Sequence, residues 1–147
     1  MNGAAVNAGL VGFKQGKSII SDLYEQWHNS PFYKCAEYGL PANLEPVPPD
    51  DMALSEFTFG LYENGSVTLS QARHFVEALL RVGLVHEGED MLCRMARGLL
   101  SGNLVGGVGS GVDWHTPTGE ACGYEGILCD QFGIVALLIN HWLEKIV

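Results

Sequence analysis

Three observations predict an all-α fold built from antiparallel helical hairpins with long irregular loops. First, four stretches repeat apolar residues at three- and four-residue spacing, which gathers them on one face of a helix. Second, two of those stretches are joined by only a few residues around Gly83, so they form a hairpin. Third, the remaining chain is rich in proline and glycine, which oppose regular structure inside an element. The 147 residues read as one domain, long enough to bury about two-thirds of its unfolded surface.

In chain order, residues 1–15 are small and glycine-rich without a period, and are expected to be irregular. The first helix is predicted over Ser18–His28, with Ile19, Ile20, Leu23, Tyr24 and Trp27 on one face, and Pro31 ending it. Five of the six prolines fall in residues 31–51, so the segment 31–66 is expected to be extended and packed on the helices. The second helix, Thr68–Val82, opens on a Thr68/Gln71 capping box and closes at Gly83. A third covers Glu87–Leu100. A fourth, from Glu125 to Lys145, carries two apolar stripes: Leu128, Phe132, Val135, Ile139 and Trp142, then Ile127, Ile134 and Leu138. Apolar nearly all round, it is expected to be a core or an interface helix.

The totals narrow the partners. A net charge of −9 argues against nucleic acid and anionic membrane, both of which need a basic surface, and suits neutral ligands such as sugars. Only 17% of residues are charged against 47% hydrophobic, so part of the apolar surface is expected to be covered by a second chain. The longest apolar run, near Phe132–Ile139, is far short of the roughly 20 residues that span a bilayer. Cys35, Cys93, Cys122 and Cys129 form no CxxC pair or disulfide framework, and no basic segment precedes the apolar Ala4–Phe13. A reducing, cytoplasmic location is expected.

Several motifs lose on spacing. Gly107-Val-Gly-Ser-Gly111 follows a helix and runs into Asp-Trp-His-Thr-Pro, whereas a dinucleotide loop follows a strand and opens a helix. Gly12-Phe-Lys-Gln-Gly16-Lys-Ser18 has three residues between its glycines where a phosphate loop needs four. His115, Cys122 and Cys129 match no zinc-ligand pattern. His74 and His141 read as packed or solvated, His28 and His86 as surface residues. No cofactor is expected.

The glycine-rich loop, residues 102–124, is different. Residues 102–131 hold eight of the 19 glycines together with Asp113, Trp114, His115, Glu120, Tyr124, Glu125 and Asp130. Long loops without regular structure are uncommon in compact domains and are usually functional or disordered. Two further acid–aromatic groups, Tyr62-Glu63-Asn64-Gly65 and Gly123-Tyr124-Glu125-Gly126, flank helix starts and could meet it at one end of a helical array. Carboxylates serve as general acid and base at a glycosidic bond, and aromatic faces pack on sugar C–H surfaces. Each group also has a scaffold reading: Glu125 suits a helix N-terminus, the glycines make turns and Trp114 plugs a core.

The same residues carry a resemblance. Tyr62-Glu-Asn-Gly65, Phe75-Val-Glu-Ala-Leu79, Gly83, Gly106-Gly107 to Gly111-Val-Asp-Trp114, Gly123-Tyr-Glu-Gly126 and Asp130-Gln-Phe132 resemble the C-terminal hairpins of glycoside hydrolases with an (α/α)6 toroid, over roughly residues 38–147. The resemblance implies a carbohydrate-binding or glycoside-hydrolase-like domain. It implies Asp113, Glu125 and Glu63 as catalytic carboxylates, without dividing acid from base. It implies Tyr62, Asn64, Trp114, His115, Tyr124, Asp130 and Gln131 as substrate contacts. A full toroid has six hairpins and this chain about four long helices, so the partner acid and opposite wall are missing. Half a ring exposes apolar faces, which predicts a homodimer around a mono- or oligosaccharide. The alternative is a non-enzymatic helical protein that acts by self-association or by binding another protein.

Overall fold

The computed structural model describes residues 2–52, 57–101, 113–123 and 129–143. The chain is mostly helical, as expected, but it also carries a four-stranded antiparallel sheet that no periodicity announced. The order is α1 (Asn2–Asn7), α2 (Phe13–His28), a 3-10 helix (Pro31–Tyr38), β1 (Leu40–Pro41), a 3-10 turn (Pro49–Asp51), β2 (Val67–Thr68), α3 (Leu69–Arg81), α4 (Val85–Leu100), β3 (Trp114–His115), β4 (Ala121–Cys122) and α5 (Cys129–Leu143).

α3 is the central element and packs against α1, α2, α4, α5 and β1. Its Ala72, Val76, Ala78 and Leu79 are fully buried and meet Ile20 of α2, Met91, Leu92 and Met95 of α4 and Ile134 of α5 in one core. Both of its ends follow the sequence. The Thr68 hydroxyl accepts the Gln71 N–H at 3.4 Å, the first half of the expected capping box. At the other end Gly83 has φ +80, its N–H reaches the Leu80 carbonyl, and the Leu84 N–H reaches the Leu79 carbonyl at 2.9 Å. This crossed pair satisfies carbonyls that a bare helix end leaves open. Only Val82, Gly83 and Leu84 separate α3 from α4, and the two helices pack together as a hairpin.

Three expectations are corrected. Residues 1–15 are not irregular: Asn2–Asn7 is helical, and α2 starts at Phe13 rather than Ser18. Contact with α3 holds α1 in place. A Cβ on Gly3 would stand 2.6 Å from the His74 carbonyl oxygen, so the two backbones touch there. Residues 31–38 are not extended. Pro31 sits in the first turn, where its missing N–H costs nothing, and the Ser30 hydroxyl accepts the Phe32 N–H at 3.2 Å. The Arg94 guanidinium lies 4.3 Å above the Tyr33 ring and binds Asp90 at 2.8 Å, which pins this turn to α4. α4 opens at Val85, not Glu87. α5, expected to be a core or an interface helix, is only partly buried within the chain. Ile134 is fully buried, while Phe132, Ile139 and Leu143 are 66%, 50% and 54% exposed. The His141 imidazole joins Glu89 of α4 at 2.8 Å and fixes how α5 sits.

The sheet runs β1-β2-β3-β4, all neighbours antiparallel. Leu40 pairs with Thr68, Val67 with His115, and His115 with Ala121. Each strand has two residues, so none shows an alternation that a sequence could display. The sheet nevertheless draws together the proline-rich segment, the chain just after Tyr62–Gly65 and the segment after the glycine-rich run. Residues 102–112 lie outside the described residues. No helix among the described residues is long and apolar enough to cross a membrane.

Candidate functional site

The chain from Phe57 to Ser66 folds into a tight double turn. The Leu61 N–H reaches the Thr58 carbonyl, the Asn64 N–H the Leu61 carbonyl and the Ser66 N–H the Tyr62 carbonyl. Asn64 organises it from within. Only 4% exposed, its Oδ1 accepts the Val47 N–H at 3.1 Å and its Nδ2 donates to the Phe57 carbonyl at 3.0 Å. One side chain thereby ties residue 47 to residue 57 and closes the segment between them.

Tyr62 is the only described non-glycine residue in the left-handed region, with φ 46. A bulky residue there carries a backbone cost of order 1–3 kcal/mol and persists where its surroundings enforce it. That conformation leaves the ring exposed and 5.1 Å from Phe57, centroid to centroid. Together with Val47, Asp51, Met52, Glu63 and Asn64 the two rings line a pocket of about 300 Å³. The pocket therefore offers two aromatic faces and two exposed carboxylates, Asp51 and Glu63. A carboxylate accepts hydrogen bonds at both oxygens, and an aromatic face covers apolar C–H groups.

The second acid–aromatic group lies across β2. β3 and β4 form a hairpin closed by Thr116, Pro117, Thr118 and Gly119. The Thr116 hydroxyl accepts the Glu120 N–H at 3.1 Å, and the Glu120 carbonyl accepts the Thr116 N–H at 2.9 Å. His115 is 3% exposed and stacked on the Tyr38 ring at 4.3 Å. The Cys35 thiol donates to the Pro117 carbonyl at 2.6 Å. The hairpin is thus clamped onto the 3-10 helix. Burial, then Glu37, pushes the Cys35 thiol up; burial, then Glu120, pushes Cys122 up; burial, then a hydrogen bond with Glu37, pushes the Tyr38 phenol up. All three groups are held neutral at pH 7, so neither thiol is an activated nucleophile.

The sequence-derived residues therefore separate into sets. Tyr62, Glu63 and Asn64 come together in one pocket. Trp114 and His115 form β3, paired between β2 and β4, with Asp113 just before it, and none of the three is among the residues lining the pocket. Tyr124 and Glu125 lie outside the described residues. Asp130 and Gln131 fall in the first turn of α5, and their side chains lie outside what is described. Asp51 and Phe57 were missed. Their signal was weak: an acidic pair after the prolines, and one aromatic five residues before Tyr62. Among the described residues no three His, Cys, Asp or Glu side chains group to hold a metal ion. No family model, curated protein or solved structure matches this chain.

Proposed function

We propose that this chain binds a mono- or oligosaccharide in the pocket of Asp51, Phe57, Tyr62 and Glu63. The observation that carries the reading is the pairing of two aromatic faces with two carboxylates around a tyrosine held in a costly backbone conformation. Sugar hydroxyls donate to carboxylate oxygens, and the C–H face of a pyranose packs on a ring. The acidic chain favours a neutral ligand over an anionic one. The test is thermal shift against a panel of sugars. At least one is expected to raise the melting temperature, with the shift lost in Tyr62→Ala and in Glu63→Gln. A panel without any response overturns the reading. A response that survives both substitutions but disappears in Asp113→Asn moves the site to the β3–β4 hairpin. Glycoside hydrolysis, the stronger form of the proposal, requires turnover that disappears in Glu63→Gln, Asp51→Asn, Asp113→Asn or Glu125→Gln.

A second reading is favoured by α5. Phe132, Ile139 and Leu143 are spaced by seven and four, which places three large exposed apolar side chains on one helix face. That face supports a homodimer. Light scattering should give a mass near twice that of the chain, falling to the monomer in Phe132→Asp/Ile139→Asp; a monomer at micromolar concentration counts against it. The free thiols of Cys35, Cys93 and Cys122 support a reducing compartment such as the cytoplasm.

A further inference from the structure

The side chains of the Tyr62 pocket offer hydrogen-bond acceptors and almost no donors. Asn64 spends its amide on Val47 and Phe57, which leaves the Asp51 and Glu63 carboxylates and the Tyr62 phenol as the polar side chains of the lining. A carboxylate can only accept. Residues 35–72, the stretch that builds the pocket, carry six acids and no lysine, arginine or histidine. Among the described residues no cation pairs with Asp51 or Glu63; Arg94 and His141 meet Asp90 and Glu89 of α4 instead. The ligand must therefore bring donors, and a positive charge is left for it to supply. A calcium ion takes about six to eight oxygens, and among the described residues no three acids group to provide them. An organic ammonium ion suits the lining better: its N–H groups donate to carboxylates, and its charge is attracted to an aromatic face. Tyr62 is 39% exposed, so its ring is within reach of such a ligand.

We infer that the saccharide taken by this pocket is an amino sugar with a free ammonium group. The inference rests on the sugar reading above and adds the charge of the ligand to it. The ammonium group donates to the carboxylates that line the pocket, and the C–H face of the pyranose packs on the Tyr62 ring. A neutral hexose meets the same oxygens with hydroxyl groups; an ammonium adds a Coulomb attraction that no hydroxyl has. N-acetylation of the amine removes that attraction and keeps the ring. The net charge of −9 also raises the concentration of any cation near the chain.

The experiment is calorimetric titration of the full chain with matched sets of three sugars: a hexose, its 2-amino-2-deoxy form and the N-acetylated form, in the gluco, galacto and manno series. It is run at about pH 6, where the amine keeps its proton. In at least one series the amino form is expected to bind about five- to tenfold more tightly than both neutral forms, the scale of exposed ion pairs. That preference should shrink between about 0.05 M and about 0.5 M sodium chloride, while the affinity of the neutral forms stays level. Asp51→Asn, at an exposed position, should reduce the preference without weakening the neutral forms more than about twofold. Equal affinity for amino and neutral forms at low salt overturns the inference and leaves the sugar reading standing. So does a preference that ignores salt and survives both Asp51→Asn and Glu63→Gln. Methylammonium binding as tightly as the amino sugar overturns the sugar reading, and the inference with it. No binding by any form overturns both.

Discussion

At the scale of single residues, the site depends on Asn64. The sequence presents it as part of an acid–aromatic run, and the resemblance makes it a substrate contact. In the structure its amide is spent on the Val47 N–H and the Phe57 carbonyl. Asn64→Ala leaves both part-buried backbone groups unpaired, at about 1–3 kcal/mol each. Urea denaturation is expected to show a total loss of about 2–6 kcal/mol. Asn64→Asp keeps an acceptor for Val47 but turns a buried carboxylate oxygen towards the Phe57 carbonyl, so its loss should be at least as large. The role was illegible beforehand because the partners lie 17 and 7 residues away along chain without periodicity. Tyr62 and Glu63 were legible by composition, since an aromatic and an acid beside a glycine already limit the chemistry available. Asp51 and Phe57 join them only through the closure that Asn64 makes.

At the scale of elements, legibility follows the length of the repeat. α3 and the body of α4 could be read because their apolar positions recur over several turns and α3 has a cap at each end. The start of α2 could not, because Phe13 is 64% exposed and adds nothing to the buried stripe. The two stripes of α5 were legible, but which one faces the core was not; that choice depends on the shape of α3 beneath Ile134. The strands could not be read at all, being two residues long. Their stability instead rests on positions such as Gly39, between the 3-10 helix and β1. Gly39 has φ +117, and a Cβ there would stand 2.1 Å from the Thr68 carbonyl oxygen. Gly39→Ala combines a left-handed backbone with a clash at β2, and is expected to cost well over about 1 kcal/mol. Circular dichroism melts read this directly; a melting temperature unchanged within error contradicts the pairing of β1 with β2.

At the scale of the whole molecule, one buried and three half-buried groups respond to alkali together. Burial raises the Tyr24 and Tyr38 phenols and the Cys35 and Cys122 thiols above their ordinary values of 10.0 and 9.0. Below those values both folded and unfolded chains keep the protons, and the stabilisation is fully present. Above them the unfolded chain sheds protons that the folded chain retains, so stability falls as pH rises. The urea midpoint is expected to be lower at about pH 10 than at about pH 8, and a flat profile would contradict the burial of these groups.

The sheet also sets a timescale. Its four strands come from positions spread between residues 40 and 122, and each contributes two residues, whereas the α3–α4 hairpin joins neighbours in the chain. Contacts between distant segments carry more loop-closure entropy than local ones and form later. The molecule should therefore behave as two cooperative units: a helical one that survives alone for a time, and a stitched one that opens and recloses around it. Native-state amide exchange is expected to show the backbone of Val67, His115 and Cys122 exchanging at lower denaturant than that of Leu79 and Leu92. The Tyr62 turn runs directly into β2, so it belongs to the unit that opens first. A bound sugar should then slow exchange there while leaving the helical core almost untouched.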